Sequence, residues 1–136
     1  MQTYNYLVGR FEVNESLPPL CYAPDSFDLV YPISVFTHLN EDHQFRWLAE
    51  LQRVTKPNGY VLLTVRGSYY LNRMEAAEIE ELRTTDFMFR QEAKFMQGIF
   101  PQWYQDAYHT QEYVLVNYYI PSGLDACQDI VVLQKP

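Results

Sequence analysis

Between Phe27 and Val65 an apolar run, an amphipathic stretch and a second apolar run follow one another with short connections. No other part of the chain restricts the fold as much. Phe27-Asp28-Leu29-Val30-Tyr31 reads as a strand ending at Pro32, its near-continuous apolar character that of a strand covered on both faces. A helix is predicted from about Glu41 to Thr55, with Trp47, Leu48, Leu51 and Val54 on one stripe. Glu50 and Arg53 lie one turn apart on its flank and read as an ion pair that helps packing. Lys56-Pro57-Asn58-Gly59 ends the helix, because proline cannot continue it and Asn-Gly accepts positive φ. Tyr60 to Val65 is then a second buried strand. Strand, helix and strand with short loops imply a right-handed crossover in a parallel sheet, and the class is α/β.

The flanking segments are less regular. Thr3 to Val13 reads as one or two short strands broken near Gly9, followed by a proline-rich loop through Ala23-Pro24-Asp25-Ser26. Tyr69 to Arg83 has a helical pattern, with Leu71, Met74, Ile79 and Leu82 facing one way. Thr84 to Tyr108 is rich in aromatics without a period and is expected to be irregular with short helical pieces. Thr110 reads as the N-cap of a further helix. Two last strands, near Asn117 to Ile120 and Asp129 to Gln134, are spaced to pair antiparallel at the sheet edge. The chain divides into an N-terminal strand and loop segment (1–26), a strand–helix–strand core (27–67), a variable insert (68–108) and a C-terminal helix with antiparallel strands (109–136).

Charge and composition narrow the partners. The formal net charge is -7 and no Lys/Arg cluster appears, which argues against nucleic acid and against an anionic membrane surface. Cys21 and Cys127 stand far apart without CxxC spacing, so neither a disulfide framework nor a metal site is expected. No apolar run approaches the roughly 20 residues that span a bilayer, and Met1 to Arg10 lacks the pattern of a signal peptide. A cytoplasmic domain with a small-molecule or protein partner is the expectation.

Leu17-Pro18-Pro19-Leu20, Asp25-Ser26-Phe27-Asp28-Leu29-Val30-Tyr31, Ser34-Val35-Phe36-Thr37-His38-Leu39, Trp47 to Val54 and Lys56-Pro57-Asn58-Gly59 occur in that order. Together they resemble class I S-adenosylmethionine-dependent methyltransferases of the type 11 or type 12 kind. Tyr108-His109-Thr110, Tyr113-Val114 and Gln128 to Leu133 resemble that family's last helix and strand. The resemblance implies a Rossmann-like sheet of order 3-2-1-4-5-7-6 with strand 7 antiparallel. Phe11 to Asn14 would be strand 3, Phe27 to Tyr31 strand 4, Tyr60 to Val65 strand 5 and the last two strands 6 and 7. Strands 1 and 2 have no counterpart, so the expected fold is a partial three-layer remnant of that sheet. The family's cofactor cradle is a glycine-rich turn after strand 1, and none of the five glycines here forms a GxG pair.

S-adenosylmethionine is the cofactor the resemblance implies, and a remnant site for it would fall on Asn14, Tyr31, Pro32, Ile33 and Ser34. The last four sit at the carboxyl end of a strand, where ligands of open α/β sheets lie. Three residues of this region have a plainer reading: a turn residue for Asn14, and helix capping for Ser34 and Thr37. His38 is a weak candidate for a catalytic base, set against a simple backbone hydrogen bond in the loop. His43 and His109 have no partners in the sequence that suggest a triad or metal set. The implied activity is methyl transfer to a small-molecule acceptor, with the isolated chain not expected to hold the cofactor. The alternatives are a non-catalytic assembly module, or one half of a site completed by a partner. An exposed strand edge implies a homo-oligomer, formed through that edge or through the N-terminal segment.

Overall fold

The computed structural model describes residues 11–90, 98–114 and 118–136. The central unit is the predicted one. Strand β1 (Phe27–Val30) leads through a loop to helix α1 (Glu41–Val54), which runs into strand β2 (Thr55–Val65), and β1 and β2 pair in parallel. Asn40, not Ser34 or Thr37, caps α1: its side chain accepts the His43 N–H at 2.9 Å, and Glu41 and Asp42 follow where the helix dipole favours acids. The apolar stripe of α1 buries Leu51 and Val54 and lays Trp47 and Leu48 against the sheet. There Trp47, Leu48 and Leu51 meet Phe36, Val61, Leu63, Val65 and Val131 in one core. At the far end of α1, β2 begins at once at Thr55, so Lys56-Pro57-Asn58-Gly59, expected as a turn before a strand at Tyr60, lies inside the strand, with Asn58 at φ 64°.

Glu50 and Arg53 form the predicted pair, and it reaches further than the helix. Arg53 Nη2 donates to Glu50 Oε1 at 2.6 Å and to the Tyr22 carbonyl at 2.9 Å, while Leu20 N–H donates to Glu50 Oε1 at 2.7 Å. The proline-rich loop is thereby clamped onto α1, and the hydrogen bond from Arg53 holds the Glu50 carboxyl below its ordinary pKa.

Two strands complete the sheet, β5 (Tyr118–Leu124) and β6 (Gln128–Gln134), and its order is β1-β2-β6-β5. Strand β6 lies antiparallel between β2 and β5, with Val61 opposite Leu133 and Val65 opposite Asp129. This is the expected 4-5-7-6 half of the sheet.

Several expectations are corrected. Phe11 to Asn14 is not a strand: the segment is irregular and Phe11 and Val13 are fully exposed, because nothing in the segment pairs with the sheet. The rest of the predicted N-terminal strand, Thr3 to Arg10, lies outside the described residues. Strand β1 is not covered on both faces, since Leu29 is 50% exposed and faces Tyr60 across the ladder. The helix predicted from Tyr69 to Arg83 is two helices, α2 (Ser68–Leu71) and α3 (Ala76–Thr85). A capping box between Glu75 and Glu78 starts the second afresh. The stretch read as irregular carries an antiparallel pair, β3 (Phe87–Arg90) and β4 (Asp106–His109). These pack with α2 and α3 around Leu82, Met88 and Tyr108. Thr110 Oγ1 does accept the Tyr113 N–H at 3.2 Å, but residues 110–114 form a turn and not a helix. No helix among the described residues is long and apolar enough to cross a membrane.

Candidate functional site

Strand β1 ends at Val30, opposite Val61, while its parallel neighbour β2 runs on to Val65, and three segments converge beyond β1 at this end of the sheet. The first is the loop after β1, Tyr31 to Leu39. Ser34, with φ 56°, donates its N–H to Thr64 Oγ1 at 2.8 Å, and its hydroxyl meets the Gln128 side-chain amide at 2.9–3.1 Å. These bonds pin the loop across the ends of β2 and β6. Tyr31, Ile33 and Val35 turn outward as an exposed apolar shelf, with Pro32 half-buried among them. The second segment is Arg66, the first residue past β2. The third is β4, which crosses over both: Gln105 N–H donates to the His38 carbonyl, Ala107 N–H to Thr37, and His109 N–H to Arg66.

That crossing gathers His38, Arg66 and Asp106. Arg66 Nη1 donates to Asp106 Oδ1 and the pair forms a salt bridge. The Arg66 guanidinium stands 5.5 Å from the centre of the Tyr70 ring and 5.6 Å from that of Tyr108. His38 stacks on Tyr104, with ring centres 4.8 Å apart and planes 16° apart, and its Nδ1 lies 3.1 Å from the Gln105 carbonyl oxygen and 3.7 Å from Asp106 Oδ1. Its Nε2 faces Arg66 Nη2 at 3.5 Å. Burial, with the Asp106 charge behind it, pushes the Tyr108 hydroxyl pKa up. The cluster is open on one side, with about a quarter of the His38 side chain and a third of Asp106 exposed.

Sequence reasoning placed Tyr31, Pro32, Ile33, Ser34 and His38 in this region, and the structure brings them together at the end of β1. It does not bring Asn14. That side chain donates to the neighbouring Glu15 carbonyl, and among the described residues the hollow it lines is built of 11–15 and 19–22. Arg66, Tyr104 and Asp106 were not foreseen. Arg66 carried one usable signal, its place immediately after the second parallel strand. Asp106 carried none, because its register opposite Arg90 in the β3–β4 ladder is set by pairing across the insert.

The other two histidines lie elsewhere. His43 Nδ1 stands 2.8 Å from the capping Asn40 Oδ1, and its ring stacks on Trp103. His109 is buried, its Nε2 is 2.9 Å from Gln44 Oε1, and burial pushes its pKa down to about 4. Among the described residues no group of three or more His, Cys, Asp or Glu side chains is placed to hold a metal ion.

The glycines test whether the chain offers a cofactor cradle. At Gly59 a Cβ would meet Asp28 O at 2.9 Å, and at Gly123 it would meet Ile130 Cδ1 at 2.9 Å. At Gly67 it would overlap the Asp129 carboxylate. Each of these glycines makes room for this chain's own atoms. Gly98 faces open space, but it stands alone. The described residues thus supply an apolar shelf and a polar cluster, and of their four glycines three are closed in by the chain's own atoms.

The methyltransferase domain family matches residues 4–63. A solved S-adenosylmethionine-dependent methyltransferase from Methanosarcina mazei shares the fold, with a TM-score of 0.61 and 16% identity. The likeness covers 92% of this chain and 66% of that one, so the chain spans just under two thirds of its structural relative. No curated protein matches the sequence.

Proposed function

We propose that this chain, which its family match and fold support as a class I S-adenosylmethionine-dependent methyltransferase, supplies the methyl-acceptor side of the site and does not hold the cofactor by itself. The observation that carries the reading is the gathering of His38, Arg66 and Asp106 beyond the two parallel strands, in a chain whose sequence has no GxG pair and whose glycines among the described residues are engaged or isolated. Methyl transfer asks little acid–base equipment of a protein, because the cofactor brings the electrophile and the protein chiefly aligns the acceptor. The shelf of Tyr31, Ile33 and Val35 suits a flat apolar group, and the polar cluster beside it suits the acceptor. The glycine-rich cradle that this sequence lacks would come from a different, completing chain docked at β1, which forms one edge of the described sheet.

Calorimetric titration with S-adenosylhomocysteine, run on the chain alone, on any self-assembled form and on its complex with a completing chain that carries a glycine-rich turn, is the direct test. The monomer is expected to be silent and the completed assembly to titrate, with label then transferred from methyl-labelled cofactor. Saturable heat from the monomer would overturn the claim that this chain lacks a cradle. Silence from every form, with methyl transfer at background, would favour the second reading, a non-catalytic assembly module. That reading draws on one observation, the absence of any GxG pair from the sequence.

A further inference from the structure

We infer that the cavity between α1, the sheet and the 110–114 turn binds a neutral one- or two-ring aromatic molecule, whose single O–H or N–H donates to His109 Nδ1. The inference stands apart from the methyltransferase reading, because neither His38, Arg66 nor Asp106 is among the residues that line this cavity.

The cavity measures about 260 Å³. An apolar cavity of about 150 Å³ is enough to take up benzene, so there is room here for a second ring. Its walls are the apolar side chains of Leu48 from α1, Leu63 and Val65 from β2, Val131 and Leu133 from β6 and Val114 from the turn. Phe45 extends the wall on the α1 side and is 58% exposed, so the cavity opens to solvent beside it. Such walls suit an uncharged, flat molecule, since an ion would lose its hydration shell and gain no counter-charge from these side chains.

Three polar side chains interrupt the lining among the described residues, and two of them are already engaged. Gln44 Nε2 donates to the Phe36 and Leu39 carbonyls at 3.0 and 2.9 Å, which leaves Gln44 Oε1 to face His109 Nε2 at 2.9 Å. The Tyr113 hydroxyl donates to Glu41 Oε1. The third is His109. An amide oxygen can only accept, so the ring proton of His109 sits on Nε2, and Nδ1 carries a bare lone pair. Nδ1 is buried and has no hydrogen-bond partner among the described residues. Burial pushes the His109 pKa down to about 4, which keeps the ring neutral at pH 7. A buried acceptor without a donor costs free energy that a bound O–H or N–H restores. A carbonyl or ether oxygen would instead set one lone pair against another. The walls select shape, and one atom of His109 selects a donor.

Indole and benzofuran separate these two contributions, for they share a shape and differ in an N–H donor against an oxygen acceptor. Calorimetric titration of the full chain at pH 7 should show saturable binding of indole, and benzofuran should bind about tenfold more weakly. Indole should also move the nitrogen NMR resonance of His109 Nδ1 well beyond any movement that benzofuran causes. Val114→Trp, which fills the cavity from the turn, should abolish indole binding while the circular dichroism spectrum stays unchanged. The ligand pair keeps the inference testable on the wild-type chain if that variant does not fold. No saturable indole binding, benzofuran binding as tightly as indole, or indole binding that survives in folded Val114→Trp would each overturn it.

Discussion

Single atoms decide two of this protein's properties. Burial holds His109 neutral, with a pKa near 4 in the fold against 6.5 outside it. The unfolded chain therefore binds the extra proton first as pH falls, and stability drops from about pH 6.5 toward pH 4. The full difference corresponds to about 3 kcal/mol as an upper figure. Urea titrations at pH 7 and pH 5 should show the loss, and His109→Gln should flatten it over that window. Below pH 4.5 a second loss is expected as Glu50, stabilised as a carboxylate by Arg53, takes up its proton. Gly67 is the other case. The space of its absent Cβ is filled by Asp129, a buried carboxylate that accepts from the Tyr119 hydroxyl and from Ser122 N–H at 2.7 Å. Gly67→Ala must displace that carboxylate from its partners. A loss of about 2 kcal/mol or more is expected in denaturant unfolding, against a few tenths for an unhindered glycine-to-alanine change.

At the scale of elements, the legible parts were those whose signals are local. The β1–α1–β2 unit was visible because its apolar run, its stripe and its Pro-Asn-Gly stop each lie within one window of sequence. The cap was misplaced because Ser34 and Thr37 stood among candidate oxygens, while Asn40 alone has the position and extended backbone (φ -67°, ψ 166°) to receive the His43 N–H. Asn40→Ala should cost about 1 kcal/mol and lower the melting temperature followed by circular dichroism at the helix band. The break between α2 and α3 was hidden because Leu71, Met74, Ile79 and Leu82 keep a helical period across it. Ladders β3–β4 and β5–β6 differ in the same sense. The second closes over a short turn and was foreseen, whereas the first joins Phe87 to His109 across an insert with no local mark. The candidate site inherits that difference. His38 follows a readable strand, but its neighbours Arg66 and Asp106 meet only once β4 has crossed the sheet ends.

For the whole molecule, Leu29 and Tyr60 are exposed beside β1, an edge of the sheet among the described residues, and this is the surface on which the proposed completing chain would dock. Leu29→Lys places a charge on that surface without touching the core. It should shift any self-association seen by light scattering toward monomer by about tenfold in dissociation constant, with the unfolding midpoint nearly unchanged. A dissociation constant left where it was would move the contact away from β1.

The placement of β6 has a bearing on how the protein is born. Strand β2 is finished at Val65, yet the neighbour that covers its second edge begins only at Gln128. At about 5–20 residues per second a ribosome needs roughly three to thirteen seconds to make the stretch between them. Through that interval the nascent chain presents the apolar surface of Val61, Leu63 and Val65 beside an open ladder. Ribosome-bound chains stalled before Gln128 should be cut readily by protease near β2, and chains released after Gln134 should resist. Synthesis speed and chaperone supply, as much as equilibrium stability, then set how much of this protein a cell accumulates.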